Sequence, residues 1–196
     1  MAKRIILAGV LGAIAMFIWS SIAHIVLPLG EIGIKEIPNE AAVLESMKTA
    51  IGDAAGLYLY PGTGAGPNAS REQKRAAMQQ YGQKLAANPS GILIYHPPGA
   101  QALTARQLTT EFITEVIEAL LAAFLLSRTR LFSYGSRVGF VIVIGIAAAI
   151  TTNIPYWNWY GFPGNYTATY MTIEIVDYLV VGLVAAAMIK PAAVTS

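Results

Sequence analysis

Five acidic residues sit in stretches of this chain that are otherwise built for lipid. Glu111, Glu115 and Glu118 recur four and then three residues apart in one apolar segment, and Glu174 and Asp177 stand three apart in another. On a helix turning about 100° per residue, the first three fall within about a 60° arc and the other two share a side. Each segment therefore carries one acidic stripe. A lone carboxylate costs about 2.5–3.5 kcal/mol at the centre of a membrane helix. These groups must then face inward, toward one another, water, a cation or a partner chain, or carry protons. The apolar segments contain no Lys or Arg to offset them. Carboxylates clustered without a counter-charge are expected to be partly neutral or to share protons.

Three chemistries are open to such a group. A proton or cation could bind it in the course of transport. The acids could pair with basic or hydrogen-bonding groups of another membrane subunit. A metal could be held by Glu115, Glu118, Glu174 and Asp177 with His24, although carboxylate di-metal bundles pair Glu with His on two helices, and here both pairs are carboxylate only. His24 is the single imidazole in an apolar segment, so a bis-His haem would need a ligand from a partner, and the sequence requires no cofactor. Hydrogen bonds across a helix bundle to Ser20, Ser21, Asn153 and the tyrosines would satisfy the same side chains with no ligand.

The elements that must position these residues are membrane helices. The chain is 55% hydrophobic and 12% charged, whereas soluble domains carry about a quarter charged residues. About 20 mostly apolar residues cross a bilayer. Four segments qualify: Ile5 to Pro28, about Thr109 to Ser127, about Val138 to Trp157, and about Tyr166 to Ile189. The first has the basic start of a signal peptide, but its apolar run is longer and lacks a clear small-residue cleavage site, so it reads as retained. Lys3, Arg4, Arg128, Arg130, Arg137 and Lys190 fall on one side if the spans alternate, and no acid joins them. That side reads as cytoplasmic, together with both termini and a 191–196 tail. Tyr156, Trp157, Trp159, Tyr160, Phe162, Tyr166 and Tyr170 gather at the opposite end as an aromatic belt. Counted inward from the basic flanks, Glu111 and His24 lie near the outer interface. Glu115, Glu174 and Asn153 lie about a turn inside it, and Glu118 and Asp177 approach mid-depth.

The stretch between the first two spans, residues 30–107, has ordinary polarity and reads as a small extracytoplasmic α+β domain. Glu31 to Ile37, Gly56 to Tyr60 and Gly91 to Tyr95 have strand patterns. Asn39 and Ser70 could cap helices through Lys48 and about Ala86, and Thr104 could cap the helix that becomes the second span. The domain is expected to rest on the outer ends of the spans, being too small for a large core of its own. Its Gly62 to Pro67 loop lacks the Lys-Ser/Thr ending of a phosphate loop. His96 precedes two prolines and reads as a surface residue. Asn68 and Asn165 begin triplets that match glycosylation sequons. With no Cys, disulfides and thiolate chemistry are excluded, and no basic run suggests nucleic acid. Close helix packing, or docking to another subunit, is expected at Gly9, Gly12 and Ala15, at Gly139, Gly145 and Ala149, and at Gly182 and Ala186. Pro155 should loosen the last turn of the third span.

Trp19-Ser-Ser-Ile-Ala-His24, Ile25-Val-Leu-Pro-Leu-Gly30 and Tyr156-Trp-Asn-Trp-Tyr-Gly-Phe-Pro163 resemble stretches of small four-helix bacterial inner-membrane proteins that have no established activity. The resemblance implies a bacterial origin and this topology, and supplies no catalytic residues. With no recognisable catalytic set, the leading expectation is a non-enzymatic accessory or structural subunit of a larger membrane complex. Its partners would be lipid and other membrane subunits or further copies of itself. A proton- or cation-coupled transport component ranks second, and a carboxylate-metal enzyme third. The topology has a direct check: alkaline phosphatase fused after Pro67 should be active in a bacterial host, and fused after Arg130 inactive. The reverse pattern would invert the orientation.

Overall fold

The computed structural model describes residues 1–190; the 191–196 tail lies outside the described residues. In chain order the elements are α1 (Ala2–Ser21), a π-helical turn (Ile22–Val26), a 3-10 turn (Leu29–Glu31), α2 (Glu40–Ile51), β1 (Gly56–Tyr60), α3 (Arg71–Ala87), β2 (Gly91–Tyr95), α4 (Ala105–Ser127), α5 (Tyr134–Tyr160) and α6 (Gly164–Met188). They form two compact units, Met1–Lys35 with the described residues from Ala102 on, and Glu36–Gln101.

The first unit is a helix bundle. Ala2–Val26, Tyr134–Tyr160 and Gly164–Met188 are three helical stretches long and apolar enough to cross a membrane, at 25, 27 and 25 residues. Length and apolarity do not mark α4 in the same way, because Glu111, Glu115 and Glu118 fall inside its apolar run. It nevertheless contributes Ala119, Ala122, Ala123 and Leu126 to the same buried core as Ala13, Val181 and Ala185. α1 packs between α4 and α6, and α5 packs along α6, while α4 touches α5 and α6 only sparsely. Large apolar residues such as Ile6, Leu11, Ile117, Leu121, Val143 and Ile150 point outward. Small residues inside and large apolar ones outside is the arrangement of helices that associate by close packing within lipid.

Four of the five expected glycines in these helices are packing sites. A Cβ on Gly9 would lie 2.5 Å from Leu120, and one on Gly12 would sit 3.4 Å from Val181 and 3.6 Å from Ala119. Gly145 lies against the Tyr178 side chain, and a Cβ on Gly182 would lie 3.2 Å from Val141. Gly139 differs: no atom lies within 4 Å of where its Cβ would be. Pro155 is accommodated inside α5, which runs on to Tyr160.

The basic residues gather at one end, since Arg128 shares a crevice with Met1 and Ile5 and Lys190 lies beside Arg137. Arg137 is no surface flank, however. It is 6% exposed, its Nε donates to the Ala186 carbonyl at 3.1 Å, and one terminal nitrogen donates to Phe132 at 2.6 Å and Leu131 at 3.3 Å. Carbonyls in the last turn of a helix have no intrahelical partner, so the guanidinium satisfies the end of α6 and fastens the α4–α5 turn to it. A cation is also favoured there by the helix dipole.

The second unit holds one antiparallel sheet of two strands, with Gly56 opposite Tyr95 and Tyr60 opposite Gly91. Tyr95 is its buried anchor, donating to the Gly52 carbonyl at 2.9 Å. The capping boxes at Ser70 with Gln73 and at Thr104 with Gln107 are both formed. Two expectations fail. Glu31 to Ile37 is not a strand: Ile34 N–H donates to Glu31 in a turn, Gly33 has φ +88°, and Pro38 follows. Asn39 precedes α2 with φ +57° and its side chain makes no capping bond. It serves as a left-handed residue, which Asn tolerates, rather than as a cap. On the sheet, Leu57, Leu59 and Ile94 share one face and are all exposed.

Gly145→Val should lower thermal stability in detergent by about 1–3 kcal/mol through collision with Tyr178, whereas Gly139→Ala should leave the melting midpoint unchanged or raised. Arg137→Met should cost about 1.5–3 kcal/mol through the stranded carbonyls. Melting curves of the three variants check all of these.

Candidate functional site

The five acids are carried by α4 and α6, and α5 supplies donors to one of them. Their burial is graded. Glu111 is exposed, Glu118, Glu174 and Asp177 are half-buried, and Glu115 is 4% exposed. Asp177 lies within electrostatic reach of Glu115, Glu118, Glu174 and Glu111, and Glu118 within reach of Glu174. The two sequence stripes therefore form a single cluster facing across α4 and α6.

One member is fixed by hydrogen bonds from α5. Asn153 Nδ2 donates to Glu174 Oε2 at 2.9 Å, and also to the Ala149 carbonyl one turn back at 3.0 Å, which fixes its orientation. Thr152 Oγ1 donates to Glu174 Oε1 at 3.4 Å. Both Glu174 oxygens thus accept a hydrogen bond from α5. Immediately before it, the Ile173 carbonyl accepts a bond from Trp19 Nε1 of α1 at 3.1 Å. Ser20 and Ser21 are not among the donors to the acids; Asn153 is, and Thr152 joins it.

The other side of the cluster is unsatisfied. Glu115 Oε2 and Asp177 Oδ1 are buried and have no hydrogen-bond partner. Leaving a buried acceptor unpaired costs about 1–3 kcal/mol, and more when it is charged. The two carboxyl groups come from different helices, α4 and α6, and each lacks a protein donor, so protonation or a bound cation is what would satisfy them. Among the described residues, no three His, Asp or Glu side chains converge to hold a metal ion. The proposed set of His24 with Glu115, Glu118, Glu174 and Asp177 is therefore not assembled. His24 occupies the π-helical turn instead, its ring packed against Gly30 and 5.7 Å from that of Tyr170.

That imidazole ends a run of aromatic rings. Tyr156 lies 5.4 Å from Phe162, Phe162 5.4 Å from Tyr166, and Tyr166 stacks on Tyr170 at 4.3 Å. The Tyr170 hydroxyl donates to the Gly30 carbonyl at 3.4 Å. The ladder ties the start of α6 to the turn after α1 at the end of the bundle opposite the basic residues. Trp157, Trp159 and Tyr160 next to it are exposed. Sequence reasoning did not single out Trp19 or Thr152 for the site. The signals available were the adjacency of Thr152 to Asn153 and a Trp in an apolar helix, where an indole N–H needs an acceptor.

The chain matches no protein-family model, no curated protein and no solved structure. The local geometry carries its own test. Glu115→Gln replaces a buried, unsatisfied ionisable group by a neutral amide and should raise thermal stability at neutral pH by about 1–2 kcal/mol, while Asn153→Leu should lower it by about 1.5–3 kcal/mol by stripping Glu174 of its shorter hydrogen bond. Thermal unfolding of the two variants in the same detergent distinguishes them by sign.

Proposed function

We propose that this chain is a four-span bacterial inner-membrane protein that binds a proton or small cation at its carboxylate cluster, as a component of a proton- or cation-coupled transport system. The observation that carries this reading is Glu115, 4% exposed with an oxygen that no protein group satisfies, together with Asp177 on α6, whose Oδ1 is likewise buried without a partner. Ionisable groups in membrane helices mark ion and proton pathways. The acids descend along α4 from exposed Glu111 to Glu118, one helical turn at a time, which suits delivery from the outer side. Beyond Glu118 and Asp177 each helix continues for about 15 Å with no further acid. The cluster therefore opens to one side only, and a partner subunit, a second copy or a rearrangement completes any passage.

In this reading α4 is the fourth span, supported by its burial in the common core and by the meeting of Arg128 with the start of α1. Both termini are cytoplasmic, and residues 30–107 are extracytoplasmic. The purified chain reconstituted in vesicles should carry a proton or sodium flux, read by a trapped pH-sensitive dye and by radioactive sodium. Glu118→Gln combined with Asp177→Asn should abolish it. Unchanged flux in that double variant overturns the proposal.

A second reading, an accessory subunit of a larger complex, is favoured by the exposed apolar sheet face of Leu57, Leu59 and Ile94. A two-stranded sheet is marginal without something packed on it. Purification from the native host in mild detergent should then retain other membrane proteins, and a lone monodisperse species would count against it.

A further inference from the structure

At the basic end of the bundle, the start of α1 and the end of α4 enclose a crevice of about 450 Å³, within the roughly 300–1,000 Å³ typical of small-ligand sites. Its walls are Met1, Ala2, Ile5, Ile6 and Phe124, and its rim carries Ser127 and Arg128. The Arg128 guanidinium lies 4.8 Å from the centre of the Phe124 ring, an arrangement that holds the cation over the apolar wall. Ile6 and Phe124, 57% and 43% exposed, open the crevice to the outside of the bundle.

The surrounding charge is of one sign. Lys3, Arg4, Arg128, Arg130, Arg137 and Lys190 belong to this end. Neither residues 1–30 nor residues 119–173 contain an Asp or Glu, and none follows Asp177. An apolar slot beneath a cation, with no Asp or Glu side chain among the described residues at this end, has the chemistry of an acyl chain below an anionic headgroup. Basic pockets between membrane helices at the cytoplasmic surface bind anionic lipid headgroups in this way.

From this charge complementarity we infer that the α1–α4 crevice is a binding site for one anionic phospholipid, with an acyl chain along Ile5, Ile6 and Phe124 and the phosphate on Arg128. The inference rests on α1 and α4 lying in the bilayer and is independent of the acid cluster at the other end. Zwitterionic lipid has the same phosphate and the same chains, but its ammonium group offsets the attraction to Arg128. The preference for net negative charge is therefore the distinguishing property.

The full chain, purified in mild detergent and mixed with equal amounts of phosphatidylglycerol and phosphatidylcholine of identical acyl chains, is examined by native mass spectrometry. The anionic lipid should be retained about fivefold over the zwitterionic one, as one well-placed cation near the surface supports. Arg128→Gln should bring that ratio to about one, and Arg128→Lys should keep most of it. Ile6→Trp, which fills the slot while leaving Arg128 in place, should reduce the adduct. Equal retention of the two lipids by the wild-type chain overturns the site, as does an anionic preference that survives Arg128→Gln or an adduct undiminished in Ile6→Trp. The wild-type comparison decides the matter even if a variant fails to fold. Inorganic phosphate added in excess should not displace the lipid, and displacement would contradict a role for the acyl chain.

Discussion

The acidic half of this bundle answers to one constraint: carboxylates have been taken out of water without a basic residue to meet them. In a low-dielectric interior, an ionised group without a partner is far more costly than a neutral one. Three solutions are visible. Glu111 stays at the exposed end. Glu174 is provided with donors, Asn153 and Thr152, from the neighbouring helix. Glu115 and Asp177 are each left with a buried oxygen that no protein group satisfies, and the proposed proton or cation site rests on that. The served carboxylate belongs to a structural network, and the unserved pair is where binding is proposed.

The rest of the bundle makes that placement possible. Glycines at 9, 12, 145 and 182 let the helix backbones approach until only small or precisely seated side chains fit between them, which fixes the rotation of α4 and α6 and hence the direction in which their acids point. Trp19 adds a bond from α1 to the α6 backbone just above Glu174. Arg137 closes the opposite end, where its guanidinium holds the last turn of α6 and the α4–α5 turn together. One end of the bundle is thus tied by a buried cation and the other by stacked rings, with the acids between the ladder and the apolar half.

Much of this was legible in the sequence, because hydropathy and helical periodicity act locally. The apolar runs, the acidic stripes, the caps at Ser70 and Thr104, and the meeting of Asn153 with Glu174 at one depth all follow from spacing along a helix. What was not legible depends on partners remote in sequence. Glu31 to Ile37 alternates like a strand but has no strand beside it, and a turn at Gly33 takes its place. Gly139 has the composition of a packing glycine, yet no helix comes near it. Arg137 reads as a flank and is buried, because only the fold shows that the end of α6 lies beside it. α4 shows the conflict most clearly: the sequence reads Thr109 to Ser127 as a span, yet its three acids keep it below the apolarity of the other three helices.

Glu115 and Asp177 are the groups proposed to hold an exchangeable proton or cation. Infrared difference spectra of the full chain in vesicles, recorded as pH or sodium concentration is stepped, observe the carboxyl groups themselves. A change in the carboxylic-acid and carboxylate bands is expected in the wild-type protein and should disappear in the Glu115→Gln, Asp177→Asn double variant, with the helical amide signal retained. The same difference spectrum in wild type and double variant would contradict the account.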